Sequence, residues 1–159
     1  MSALALREVT VDDAALLREW RNDPSVRASS FNQDAVAADA HRAWLTKKLA
    51  SADTKMWILT ADGVPAGQVR YDKTGEQAEV SVSLDARFRG MGLGVAILTM
   101  SAPRACRELG LREIRAVVKL TNAASLNAFA RAGFRRGPDA EVHGDPSAIL
   151  LWSCVPPSP

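Results

Sequence analysis

Polar and apolar residues alternate strictly from Glu79 to Leu84, the pattern of a β-strand with one buried face. Other short apolar runs bounded by turn residues also predict strands. Together the predicted strands cover residues 4–9, 56–60, 67–72, 78–84, 113–118, 140–143 and 148–154. Asp62-Gly63 is a hairpin signal between the second and third strands, and residues 73–76 form the next turn.

Apolar positions spaced by three and four residues predict two helices in the N-terminal third. Thr10 or Asp12 can cap the first, which runs to about residue 21 and ends before Pro24. The second begins at Asn32 or Asp34 and runs to about residue 49. The expected inner faces consist of Leu16, Leu17 and Trp20 in the first helix, and of Val36, Ala40, Trp44 and Leu45 in the second.

Two further helices are predicted in the second half of the chain. One runs from about residue 95 to Leu109 and stops at Gly110. Pro103 lies inside it, and an interior proline costs roughly 3 kcal/mol because it removes a backbone hydrogen bond, so we expect a kink. The other helix follows Asn122.

The order of elements predicts the fold class. It reads β, α, α, three antiparallel strands, α, β, α and two final strands, which is typical of an α+β domain with a central, mostly antiparallel mixed sheet. A length of 159 residues suits one domain with a sizeable core. We place this domain over residues 1–155 and expect residues 156–159 to form a frayed tail.

Composition and charge narrow the classes of function. A hydrophobic content of 47% excludes a disordered chain, and a net charge of +2 does not indicate nucleic acid or an anionic membrane as partner. No membrane span, signal peptide or metal site is predicted. Cys106 and Cys154 make no disulfide framework, so we expect reduced thiols and a cytoplasmic protein. The C-terminal edge strands suit a monomer or a homodimer.

The stretch Arg89-Gly90-Met91-Gly92-Leu93-Gly94 is the most informative motif in the chain. It joins a predicted strand to a predicted helix, so its backbone N–H groups point together at the positive end of that helix and form a seat for a phosphate. Val95 follows where a P-loop would carry lysine, and the glycine spacing is not that of a dinucleotide-binding fingerprint.

Two motifs together indicate a family. The spacing Arg89-x-x-Gly92-x-Gly94 resembles the pyrophosphate loop, R/Q-x-x-G-x-G/A, of the GNAT N-acyltransferase superfamily. Downstream, Asn122, Ser125 and the pair Gly133-Phe134 resemble the family's N-x-x-S/A…GF helix. The resemblance covers essentially the whole chain and implies an N-acetyltransferase that uses acetyl-CoA as co-substrate.

The resemblance also implies where acetyl-CoA binds. In the family the strand before the glycine turn and strand 113–118 run parallel and splay apart, and the pantetheine arm lies in the gap. Val82 and Leu84 would offer backbone groups to the pantetheine amides, and Asn122 would lie near the thioester. The implied pyrophosphate contacts are Arg89, Gly90, Gly92, Leu93 and Gly94.

Acyl transfer from a thioester to an amine also needs an acid for the leaving thiolate and a base for the amine. Many members of the family carry a tyrosine seven residues after the asparagine, but here that position is Phe129, and the chain's single tyrosine is Tyr71. Ser125, one helical turn after Asn122, is the alternative donor to the sulfur, and here the chain resembles the ribosomal-protein alanine acetyltransferases, which carry a serine at this position. A solvent proton could also suffice.

Three side chains are candidates for the base. Glu79 lies on the strand before the glycine turn, where several family members place a carboxylate that drains the amine proton through water. His41 has an ordinary pKa suited to the task. Asp72, on the neighbouring strand, could share the role. Each could equally be an ordinary surface residue.

The acceptor side lies in the N-terminal third. Its residues resemble those of GNAT enzymes that acetylate nucleotide-linked amino sugars, and the same set recurs in other branches, including protein N-terminal acetyltransferases. The predicted substrate contacts are Trp20, Arg21, Asn22, Arg27, His41 and Trp44. The arginines could bind a diphosphate, Asn22 could bind sugar hydroxyls, and a tryptophan ring could stack on a sugar. Both tryptophans could instead belong to the hydrophobic core. A protein N-terminus, a small amine, or a non-catalytic acyl-CoA-binding module remain alternatives.

Overall fold

The computed structural model describes residues 3–155, which fold around one mixed sheet of eight strands. The strands are β1 (Leu4–Glu8), β2 (Thr54–Ala61), β3 (Val64–Thr74), β4 (Gln77–Leu84), β5 (Glu113–Lys119), β6 (Arg135–Arg136), β7 (Ala140–Val142) and β8 (Asp145–Ser153). Their order is β1-β2-β3-β4-β5-β8-β6, with β7 also pairing with β8. Within residues 3–155 only the β4–β5 pair is parallel, which confirms the predicted α+β class with a mostly antiparallel sheet.

Helices cover both faces of this sheet. They are α1 (Ala14–Asn22), α2 (Pro24–Ser29), α3 (Ala38–Ala50), α4 (Leu93–Leu109) and α5 (Ala123–Arg131). On β2, Trp57 and Leu59 join a core with α4 and α5, whereas Met56 and Ile58 join a second core with α1 and α3. Because side chains alternate along a strand, β2 is buried on both sides.

The parallel pair β4–β5 is the fold feature that positions the site. Pairing covers three positions and ends where Glu79 lies opposite Arg115. From there β4 continues to Leu84 and β5 to Lys119 without pairing to each other. We call the gap between these two free segments the fork. It agrees with the predicted splay of the two strands.

Local signals placed the first hairpin correctly but missed a helix. Asp62 and Gly63 have φ values of 51° and 80°, as a tight turn between β2 and β3 requires. Helix α1 ends at Asn22, just before Pro24, as predicted, but Pro24 also begins α2, because the first turn of a helix tolerates proline. The carboxylate of Asp23 caps α2 by accepting the N–H of Ser25 at 2.9 Å.

The predicted start of the second helix is wrong. Residues 30–37 are irregular because side chains of α1 and α2 bind their backbone. Arg21 Nη2 donates to Asn32 O at 2.9 Å, and Arg27 Nε donates to Gln33 O at 2.8 Å. The Asn22 amide clamps Val36, donating to its carbonyl and accepting its N–H.

The inner face of this helix therefore differs from the predicted one. Since α3 begins at Ala38, Val36 precedes it and Ala40 is exposed. Its buried residues are His41 and Leu45, and Trp44 is half-buried.

The expectation of free thiols is wrong, because Cys106 on α4 forms a disulfide with Cys154 just after β8. Helix α4 continues through Pro103 to Leu109 and ends at the predicted stop, Gly110, which has a left-handed backbone conformation. The predicted tail at residues 156–159 lies outside the described residues. Between residues 3 and 155, no helix has the length and apolar character needed to cross a membrane.

Candidate active site

The glycine turn lies at one end of the fork. Gly90 and Gly92 have φ values of 77° and 75°, a conformation that favours glycine. The first hydrogen bond of α4 runs from Ala96 N to Gly92 O, so the preceding N–H groups have no acceptor within the helix. A Cβ built on Gly90 or Gly92 would meet nothing within 4 Å, so the turn is open to a ligand. These features fit a pyrophosphate.

Gly94 has a packing role in addition. A Cβ added there would approach Ala128 Cβ of α5 to 3.4 Å, closer than most real contacts. Glycine thus lets the start of α4 lie directly against α5. Because β4 and β5 run parallel, the glycine turn after β4 and the N-terminus of α5 after β5 lie at the same end of the fork.

Arg89 binds protein groups in this structure. Its Nη2 donates to Asp23 Oδ1 at 3.3 Å and to Leu84 O at 3.1 Å. Asp23 is the residue that caps α2, so Arg89 links the glycine turn to the acceptor-side helices. A guanidinium carries five N–H donors, which leaves others for a phosphate.

A second link joins the same two regions. Trp20 Nε1 donates to Asp85 Oδ2 at 2.9 Å, and both side chains are buried. Hydrogen bonds from Arg87, and then from Trp20, hold the pKa of the Asp85 carboxyl well below its usual range. Trp20 is only 4% exposed, so it cannot serve as a stacking surface for a sugar, and the reading of it as core is the correct one.

Asn122 and Ser125 form a pair across the fork from β4. Asn122 caps α5 by accepting Ser125 N at 3.2 Å, and its Nδ2 donates to Ser125 Oγ at 3.0 Å. Because this hydroxyl accepts from an amide N–H, its own hydrogen is free to point elsewhere. Ser125 is thereby oriented as a hydrogen-bond donor.

Aromatic residues do not supply this donor. Phe129 is buried and packs edge-on against Phe134, with ring centroids 5.0 Å apart. Tyr71 is buried on the face of β3 that packs on α4, and its Oη lies 2.7 Å from Ser101 Oγ. Burial raises the pKa of Tyr71, so it is a poor acid as well as a distant one.

Glu79 is the accessible carboxylate at the fork. It is the last β4 residue paired with β5, and it is exposed while its neighbours Ala78 and Val80 are buried against α4. Alternation therefore places its side chain on the α1–α3 face of the sheet. A carboxylate in this position can receive a proton through water.

Asp72 is poorly suited to act as the base. It accepts Lys48 Nζ at 2.8 Å, Arg70 Nε at 2.7 Å and Thr54 Oγ1 at 3.1 Å. Burial alone would raise the pKa of Asp72, but the hydrogen bond from Lys48 and the charge of Arg70 outweigh it and leave the pKa below its ordinary value. Three donors thus already occupy most of its roughly four acceptor sites.

His41 lies on the buried face of α3. It is 5% exposed, and its ring centroid is 5.4 Å from that of Trp44. Burial first, then the charges of Arg18 and Arg21, lower the pKa of His41, so the ring is neutral at pH 7. Its Nδ1 is buried and has no hydrogen-bond partner in the part of the chain described. His41 could accept a proton only if the acceptor reached this buried position.

The other predicted substrate contacts have protein partners. As described above, Arg21, Asn22 and Arg27 hold the backbone of residues 30–37. Both amide atoms of Asn22 are engaged, which does not fit a direct contact with substrate hydroxyls. Trp44 is half-buried, and the Arg70 guanidinium lies 5.0 Å from its ring centroid.

Sequence reasoning missed one residue near this site. Lys119, the last residue of β5, is only 6% exposed. A lysine is rarely so buried unless it is paired. Nothing in the sequence signalled it, because a lysine at a strand end ordinarily reads as a surface charge.

Comparison with known proteins identifies the family. The family model described as an acetyltransferase (GNAT) domain matches residues 3–135. The chain belongs to the GNAT acetyltransferases. The protein is therefore an acetyl-CoA-dependent N-acetyltransferase that acetylates an amine, which confirms the predicted family, activity and co-substrate.

Solved structures share this fold at low sequence identity. Aminoglycoside acetyltransferase AAC(6')-Ib in complex with coenzyme A is 18% identical, with a TM-score of 0.81 and 95% of each chain covered. Spermidine N-acetyltransferase from Vibrio cholerae, with CoA and spermine, is 14% identical, with a TM-score of 0.86, covering 94% of this chain and 95% of that one.

The ribosomal L7/L12 alpha-N-protein acetyltransferase RimL, in complex with coenzyme A, is 16% identical, with a TM-score of 0.81 and coverages of 94% and 93%. The three proteins act on chemically different amines, so the shared fold does not select an acceptor. No curated protein sequence matches the chain.

Gly92→Asp should weaken acetyl-CoA binding by at least about tenfold, roughly 1.4 kcal/mol, because it places a negative charge where the pyrophosphate is expected. Isothermal titration with acetyl-CoA measures the change. Gly75→Asp is the matched control, since Gly75 also has a positive φ of 65° and open space around its Cβ, but lies in the β3–β4 turn. Equal affinities of the two variants would refute the glycine turn as the pyrophosphate site.

Proposed function

We propose that the protein transfers the acetyl group to the primary amine of a nucleotide-linked amino sugar by direct attack on the thioester. The main support for this reaction is that Glu79 and Ser125 lie on opposite sides of the fork. Glu79 is exposed where β4 and β5 separate, and Ser125 is a free donor at the start of α5. A base and an acid thus flank the gap in which the thioester would lie.

In this proposal Glu79 takes the proton that the amine loses, and Ser125 assists the leaving sulfur, which gains its proton ultimately from solvent. The amine nitrogen attacks the thioester carbonyl carbon, and the carbon–sulfur bond breaks. Glu79 receives, through a water molecule, the proton that the amine nitrogen loses. The Ser125 hydroxyl donates a hydrogen bond to the departing sulfur, and solvent restores any proton it gives up. Positioning of the two reactants supplies most of the rate enhancement, roughly 7–11 kcal/mol.

Support for a sugar acceptor comes from the sheet face beside Glu79. The side chains that face α1–α3 here are polar on both strands: Gln68, Arg70 and Asp72 on β3, and Glu79, Ser81 and Ser83 on β4. Gln68 Nε2 donates to Ser83 Oγ at 2.9 Å, and its buried Oε1 has no partner among the described residues. A buried acceptor of this kind favours a ligand that brings hydroxyl donors.

A thiol-release assay with acetyl-CoA tests the proposed acceptor. The panel contains nucleotide-linked amino sugars, the same amino sugars without the nucleotide, peptides beginning with alanine or serine, and simple polyamines. Turnover chiefly with amino-sugar nucleotides supports the proposal. Turnover only with peptides would instead make the protein an N-terminal acetyltransferase. Retained acetyl-CoA binding without turnover on any amine would favour a non-catalytic module, as Phe129 in place of tyrosine also would.

Glu79→Gln should lower kcat/KM by roughly 10²-fold, and chiefly at low pH, where the amine is protonated and needs a base. A pH profile of kcat/KM on the best acceptor measures this. Glu76→Gln is the control, because Glu76 is an exposed carboxylate in the β3–β4 turn. A loss that does not vary with pH would transfer the role of base to His41.

Ser125→Ala should lower kcat while leaving acetyl-CoA affinity nearly unchanged, since the hydroxyl acts on the leaving sulfur rather than on the bound ground state. Steady-state kinetics and isothermal titration together separate the two effects. Ser153→Ala, at an exposed serine at the end of β8, is the control. Equal losses in kcat and affinity would assign Ser125 a binding role instead.

A further inference from the structure

Lys119 lies on the acceptor side of the fork. It is four residues beyond Arg115 on β5, so alternation places both side chains on the same face, the one that Glu79 shares across the β4–β5 pair. Four residues of strand correspond to about 13 Å along that face. Consistent with this, Lys119 Nζ lies 3.4 Å from the carbonyl oxygen of Ala28 in α2.

The ammonium group of Lys119 is buried but incompletely neutralised. Its other polar contact is Asp145 Oδ2 at 3.6 Å, and the Phe31 ring centroid lies 5.5 Å away. Three N–H donors therefore share two long contacts, whereas a buried charge is normally paired and hydrogen-bonded at short distance. The Asp145 side chain is 44% exposed, so it can leave toward solvent when a better anion arrives.

The surroundings of Lys119 bring two segments together at the end of the fork. Phe31, before α3, packs against His143 in the β7–β8 turn, with ring centroids 5.6 Å apart. His143 has a φ of 50°, which non-glycine residues rarely adopt. Arg21 and Arg27, the cations first expected to meet a diphosphate, bind backbone carbonyls of residues 30–37 instead. Arg21 Nη1 is also buried without a partner among the described residues, but Nη2 of the same guanidinium makes a 2.9 Å hydrogen bond. The shortest polar contact of Lys119 is 3.4 Å, so its charge is the more weakly compensated of the two.

We infer that Lys119 is a specificity-determining residue that binds an anionic group of the acceptor, with the acceptor's phosphate or carboxylate replacing Asp145 at the ammonium. The inference rests on the proposed function, because it assumes that the amine is presented beside Glu79. For a nucleotide-linked amino sugar the anion is the diphosphate. The distance between Glu79 and Lys119 along the sheet face then selects acceptors that carry an amine at one end and a negative charge at the other.

Isothermal titration tests this anion contact independently of turnover. The protein is first saturated with CoA, so that the glycine turn is filled, and is then titrated with inorganic pyrophosphate and, separately, with glutarate. Wild type should bind one of the two, and the identity of that probe distinguishes phosphate from carboxylate recognition. Lys119→Met should weaken binding at least about tenfold, Lys119→Arg should retain most of it, and Asp145→Asn should tighten it by removing the competing carboxylate.

Controls separate this role from a structural one. Lys47→Met removes an exposed lysine of α3 and should leave binding unchanged. Thermal unfolding of each variant shows whether the fold is intact. Absence of binding by CoA-saturated wild type would overturn the inference. Weaker binding by Asp145→Asn would also overturn it, because it would mean that Asp145 supports the fold around Lys119 rather than competing with the anion.

Kinetics connect the contact to specificity. In Lys119→Met, kcat/KM should fall for nucleotide-linked amino sugars through KM and remain unchanged for the free amino sugars. An equal loss for both acceptors would contradict the inference. Failure of wild type to acetylate any amino sugar would count against the proposed function, while the titration would still decide the role of Lys119.

Discussion

The structure depends on the point where β4 and β5 stop pairing. Three parallel pairs hold the strands together up to Glu79 and Arg115, and beyond them the backbone groups that would have joined the strands are available to a ligand. A continuous sheet would leave no room for the pantetheine arm of the co-substrate. The proposed chemistry depends on the same point, because Glu79 lies on one side of the gap and the Asn122–Ser125 pair on the other.

The acceptor side is held to the co-substrate side by two polar links. Trp20 binds Asp85 just after β4, and Asp23 binds Arg89 at the start of the glycine turn. The first link is buried, so breaking it would leave a polar group without a partner at a cost of about 1–3 kcal/mol. The position of α1 and α2 is thus tied to the conformation of the turn.

Features set by local chemistry could be predicted from the sequence. The glycine turn, the Gly110 stop and the Asn122 cap each depend on a few neighbouring residues and on backbone conformations that those residues favour. Features set by long-range contacts could not. Val36 lies outside the helix predicted for it because the Asn22 side chain hydrogen-bonds its backbone. No local sequence pattern indicates that contact. Pairing of Cys106 with Cys154 likewise depends on how α4 packs beside β8. The residue roles assigned to the fork remain predictions.

A crystal structure of the CoA complex would test the central claim most directly. The account predicts that the pantetheine arm lies in the fork, between the backbone of Val82 and Leu84 on β4 and the side chain of Asn122, with the pyrophosphate on the N–H groups of the glycine turn. It also predicts that the thiol end lies within reach of the Ser125 hydroxyl. CoA bound outside the fork, or β4 and β5 paired along their full length, would contradict it.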